Sequence, residues 1–94
     1  MIRTVLVEDE PLLAGLLAES LMGSEANVSA VCHSGKEALT RINPQEIDVA
    51  VIDIDLGPGP DGVDVARQWR QTHPGLGLVF MTNVVEPGAL LLGG

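Results

Sequence analysis

Ninety-four residues suffice for one small domain. Thirteen acidic residues against five basic ones leave a net charge of −8. That balance excludes direct nucleic-acid binding by a cationic footprint, disfavours anionic membranes and favours cationic ligands or partners.

An apolar content of 46% argues against intrinsic disorder. No apolar run approaches the roughly 18 residues of a membrane span. Met1-Ile2-Arg3 leads straight into a strand pattern, without the regions of a signal peptide. The single cysteine, Cys32, rules out an intrachain disulfide framework and reads as a small buried hydrophobe at a strand end. A soluble cytoplasmic protein is expected.

Ile2–Val7 reads as the first strand and stops abruptly at Glu8-Asp9-Glu10. Pro11 suits the first turn of a helix, where its missing N–H has no partner to lose. Leu13, Leu16, Leu17 and Leu21 then recur at helical spacing and predict one apolar face, and Gly23-Ser24 ends the helix. Asn27–Cys32 is a second strand. Ser34-Gly35 opens a short helix with Ala38, Leu39 and Ile42 inward, and Asn43-Pro44 stops it. Asp48–Ile52 is apolar apart from its first residue, which predicts a third strand buried on both faces. A loop rich in glycine and proline runs from Gly57 to Gly62, with Asp61-Gly62 suited to turn and helix entry. A third helix from Val63 to about Thr72 carries Val65, Ala66 and Trp69 inward. Leu76–Met81 is a fourth strand, and residues 84–94, interrupted by Pro87-Gly88, are left unassigned. His33 and His73 fall in loop-like positions and receive no role.

This alternation implies a parallel sheet with helices on both faces and right-handed crossovers. Ligands of such sheets bind beyond the carboxyl ends of the strands, where the strand order reverses. Glu8, Asp9, Glu10, Asp53 and Thr82 all fall at such ends. The topology therefore predicts one acidic pocket able to hold a divalent cation beside Asp53.

Three segments carry a family resemblance: Val5-Leu6-Val7-Glu8-Asp9-Glu10-Pro11, Asp53 with the loop reaching Asp61-Gly62, and Phe80-Met81-Thr82-Asn83. In this order, on these elements, the chain resembles response-regulator receiver domains of two-component signalling from residue 2 to about 83. The resemblance implies a flavodoxin-like, doubly wound fold with strand order 2-1-3-4. It implies that Asp53 is a phosphoacceptor taking a phosphoryl group from a sensor histidine kinase or a phosphotransfer protein. Mg²⁺ would be held by Asp9, Asp53 and the backbone carbonyl of Asp55, with Glu8 acting through a water. Thr82 would be the switch hydroxyl, assisted by backbone N–H groups near Asn83. The chain would be a signalling domain rather than an enzyme.

Departures from the family pattern shape the expectation. Glu8-Asp9 stands where two aspartates are usual, and glutamate keeps the charge. The loop after Asp53 looks a residue longer than usual. Receivers continue into a fifth strand, which ends in a lysine, and a fifth helix. The only lysine here, Lys36, lies in the second helix pattern, so residues 1–94 are expected to be a truncated receiver, with a homodimer or domain swap as a remedy for its bare strand edge. Two rival readings remain. One is a receiver-like protein-interaction module impaired in phosphorylation. The other is a fragment of a haloacid dehalogenase-like phosphatase, suggested by Asp53-Ile54-Asp55 but opposed by Gly57 and by the short chain.

Overall fold

The computed structural model describes residues 1–82. Expectations for Asn83 and for residues 84–94 lie outside them. In chain order the elements are β1 (Ile2–Val7), α1 (Pro11–Leu21), β2 (Ala26–Cys32), α2 (Gly35–Arg41), a single 3-10 turn (Pro44–Glu46), β3 (Val49–Asp53), α3 (Gly62–Thr72) and β4 (Gly77–Met81). The strands form one parallel sheet in the order β2-β1-β3-β4. The flavodoxin-like arrangement read from the sequence is present. The chain leaves β1 toward β2 and then crosses to β3 on the other side, so the order reverses between β1 and β3.

Local chemistry explains the boundaries. Pro11 occupies the first turn of α1, and Gly23, with φ +88°, supplies the left-handed turn after it. The Ser34 hydroxyl accepts the Glu37 N–H at 3.0 Å and starts α2. A reciprocal cap starts α3: Asp61 accepts from the Asp64 N–H at 2.8 Å, and Asp64 accepts from the Asp61 N–H at 3.0 Å. Asp48 lies just before β3 rather than within it. Its carboxylate accepts from the Arg3 N–H at 2.8 Å and from the Arg3 guanidinium at 3.1 and 3.2 Å, tying β1 to the start of β3. Arg3 holds the Asp48 carboxyl below the usual carboxylate range.

The main core lies on one face of the sheet. Val5, Val7, Ala50 and Ile52 point toward α2 and α3, where Ala38, Val65, Ala66 and Trp69 are buried with Cys32 and Leu56. The period of two along each strand sends these alternate residues to one side. On the other face α1 lies over β1 and β2, and buries Ala14.

The structure differs from the sequence-based expectation at two places. Leu16 is 54% exposed, because α1 meets the sheet through Ala14 with Leu13, Leu17 and Leu21 half-buried; Leu16 lies on its solvent flank beside Leu12. The third strand is not buried on both faces: Val49 and Val51 are half-buried, since α1 covers β1 and β2 instead. They border an open apolar groove with Ile2, Leu17, Val79 and Met81.

Candidate functional site

At the point where the strand order reverses, a carboxylate follows β1 and another ends β3. Glu8 follows β1 directly, and its N–H donates to the Cys32 carbonyl at 2.9 Å, so strand-like pairing continues one residue past the element. Its side chain turns inward and is fully buried, and Oε2 accepts the Glu10 N–H at 3.0 Å. Asp9 is exposed. Asp53 ends β3 and is fully buried. Glu8, Asp9 and Asp53 each offer a carboxylate oxygen, and these oxygens all lie within 4.8 Å of one another.

The loop after Asp53 is built around that carboxylate. The Asp55 N–H donates to Asp53 Oδ1 at 3.1 Å. The Asp55 side chain accepts the Gly57 N–H at 3.3 Å within its own loop, and Asp55 is exposed. Gly57 and Gly59 take φ of +73° and +92°, which turn the chain back. The Gly62 N–H then donates to the Ile54 carbonyl at 3.0 Å. A Cβ on Gly62 would collide with the Asp53 carbonyl, so only glycine permits this approach.

Thr82 follows β4 immediately and is exposed. The register pairs Asp53 with Met81, which brings Thr82 to the same sheet edge. Asn83 lies outside the described residues. Lys36 is exposed on α2.

Charge crowding perturbs the pocket. Asp53 is pushed up to about 6, first by burial, then by hydrogen bonding with Glu8 and by the charges of Glu8 and Asp9. The Asp55 N–H opposes that rise. Asp9 is raised chiefly by hydrogen bonding with Glu8, with burial and the Glu8 charge adding to it. Like charges this close disfavour joint ionisation, so the cluster at neutral pH calls for a proton or a cation. The donor set is all oxygen, as hard divalent cations require.

Its loop-like place in the sequence assigns His33 no role, yet its Nδ1 lies 3.0 Å from the Glu8 carbonyl oxygen. A signal was available: His33 follows the carboxyl end of β2, which neighbours β1, so it belongs to the same edge.

A doubly wound parallel sheet with an acidic pocket at its switch point defines the class of protein. The family model described as response regulator receiver domain matches residues 4–90, and the chain belongs to that family. The chain is 35% identical over 86 residues to the sensor protein TorS of Escherichia coli (strain K12), covering 90% of this chain and 9% of TorS. It is 34% identical over 91 residues to the DNA-binding response regulator MtrA of Mycolicibacterium smegmatis, covering 97% of this chain and 39% of MtrA. The chain thus spans less than two fifths of either curated relative. Among solved structures, the response regulator TrrA of Thermotoga maritima, in complex with Mg²⁺–BeF, matches with TM-score 0.80 and 28% identity, covering 89% of this chain and 71% of that one.

Proposed function

We propose that this chain takes a phosphoryl group onto Asp53 from a phosphohistidine on a sensor histidine kinase or phosphotransfer protein, with Mg²⁺ bound in the acidic pocket. The observation that carries this reading is the meeting of the Glu8, Asp9 and Asp53 carboxylates within 4.8 Å at the switch point. The Mg²⁺–BeF complex of the similar TrrA supports it by likeness. Asp9, Asp53 and the Asp55 backbone carbonyl would hold the cation, with Glu8 reaching it through a water. Bound there, Mg²⁺ would offset repulsion between the carboxylates and the phosphoryl oxygens.

The remaining chemistry belongs to the protein. The Asp55 N–H on Asp53 Oδ1 fixes the rotamer of the nucleophile. Burial and the neighbouring Glu8 and Asp9 carboxylates raise Asp53 above the ordinary aspartate range in the metal-free pocket, and a bound cation would favour its ionised, nucleophilic form. One of its oxygens attacks phosphorus in line. The new P–O bond forms as the P–N bond to the donor imidazole breaks, and the electron pair returns to that nitrogen. Thr82, following the residue paired with Asp53, would then hydrogen-bond a phosphoryl oxygen and pull its loop inward.

Retention of the nucleophile and its acidic neighbours favours this reading over a bare interaction module. Because the family match spans residues 4–90, the segment around Asp53 reads as part of a receiver rather than of a phosphatase. A cytoplasmic location follows from the proposed kinase partner, and among the described residues no helix is long and apolar enough to cross a membrane. The test is incubation of the intact protein with a small acyl phosphate and Mg²⁺, read by intact mass. One phosphoryl adduct is expected, absent with chelator and in Asp53→Asn. An adduct on the Asn variant would overturn the assignment.

A further inference from the structure

Both backbone polar groups of Glu8 are held by the end of β2. Its N–H donates to the Cys32 carbonyl at 2.9 Å. Its carbonyl lies 3.0 Å from Nδ1 of His33. A carbonyl oxygen only accepts, so in this contact Nδ1 carries the proton and donates. Two residues further on, Gly35 lies so close to the Pro60 carbonyl that a Cβ there would collide with it. The short stretch from Cys32 to Gly35 therefore touches the main chain of both acidic loops, the one after β1 and the one after β3.

We propose that His33 is a positioning residue of the acidic pocket. The Glu8 carbonyl and the Asp9 nitrogen belong to one planar peptide unit. Fixing the carbonyl fixes that plane, and with it the direction in which Asp9 leaves the strand. The imidazole thereby sets where the exposed Asp9 carboxylate stands relative to the buried Glu8 and Asp53. Removing it frees the Glu8–Asp9 peptide to rotate toward solvent. The carboxylates then spend less time in the arrangement that a compact oxygen-seeking cation needs.

This inference rests on the reading of the pocket as a Mg²⁺ site, and its test has one arm that needs no metal. The intact protein is compared with His33→Ala and with His33→Asn, whose amide N–H can stand where Nδ1–H stood. Mg²⁺ affinity is measured by titration calorimetry, and exchange of the Glu10 amide, which the Glu8 carboxylate accepts, is followed by NMR in chelator. Expected for His33→Ala is about tenfold weaker Mg²⁺ binding and severalfold faster Glu10 exchange, with His33→Asn within about threefold of the parent in both. Parent-like affinity and exchange in a folded His33→Ala would overturn the proposal, as would equal impairment in His33→Asn. If the parent itself takes up no Mg²⁺, the metal reading fails; faster Glu10 exchange in His33→Ala still upholds the brace, and unchanged exchange removes it. Should His33→Ala not fold, His33→Gln, with its amide one bond further out, replaces it with the same expected losses.

Discussion

Glu8 and Asp53, 45 positions apart in sequence, are both fully shielded from solvent and present carboxylate oxygens within 4.8 Å of each other. Two buried acids this close oppose folding unless protons or cations offset them. The pocket is therefore a site of stored electrostatic cost, and most of the measurable consequences follow from it.

The first consequence is a contribution from Asp53 to stability that falls as pH rises. An acid whose folded-state pKa is raised binds its proton more tightly folded than unfolded. Its favourable contribution is complete below the unfolded value near 3.8 and is lost as pH rises through about 6. Asp53→Asn keeps an oxygen for the Asp55 N–H but cannot ionise. In chelator at pH 7.5 it should be more stable than the parent by on the order of 2 kcal/mol, with the gap closing toward pH 4. Urea unfolding at the two pH values checks this; a less stable Asn variant at pH 7.5 would contradict it.

Cation binding should reverse that cost with the opposite pH trend. Ligand carboxylates must be deprotonated, so protons and Mg²⁺ compete. At pH 7.5, Mg²⁺ at about 100 times its dissociation constant should stabilise the fold by about 2.7 kcal/mol. The gain should shrink as pH falls through about 6, where Asp53 takes up its proton. Chelator should remove it, and both Asp9→Asn and Asp53→Asn should diminish it. Thermal melts at several pH values, with and without Mg²⁺, provide the measurement.

Two glycines should answer the same substitution with opposite signs. Gly15 lies inside α1, with nothing within 4 Å of the place a Cβ would occupy. Gly15→Ala should stabilise by about 0.5–1 kcal/mol through helix propensity and a less flexible unfolded chain. A Cβ on Gly62 would strike the Asp53 carbonyl and come within 2.9 Å of Ile52 Cγ2. Gly62→Ala should destabilise by about 1–3 kcal/mol and weaken Mg²⁺ binding, because the strain bears on the strand end that carries Asp53. Equal effects at the two positions would show that the approach of Gly62 is not tight.

The reciprocal cap of α3 should matter to stability alone. Asp61→Ala removes the acceptor of the Asp64 N–H at 2.8 Å and should cost about 1 kcal/mol. Mg²⁺ affinity, measured on the folded variant, should stay within about twofold of the parent. A large loss of affinity would mean that the cap also positions the proposed metal site.

Much of the fold could be read in advance from residue periodicity. The order of strands and helices, Pro11 at the start of α1, Trp69 in the core and Asp53 at a strand end all follow from patterns within a few residues. Pattern and structure part where a distant partner decides the outcome. Leu16 has a helical spacing no different from Leu17, and only the width of the α1–sheet contact separates them. Val49 and Val51 read as doubly buried because an apolar run cannot reveal how far a neighbouring helix reaches.

The site divides along the same physical line. Local sequence placed carboxylates at the ends of β1 and β3, since an apolar strand that stops at an acid announces itself. The burial of Glu8, the rise of Asp53 to about 6 and the hold of His33 on the Glu8 carbonyl depend on β2, β1 and β3 meeting side by side. Desolvation and charge repulsion act through space, over distances that chain order does not encode. A strand pattern can therefore name the acids, whereas their proton affinities and their braces arise only where the strands come together.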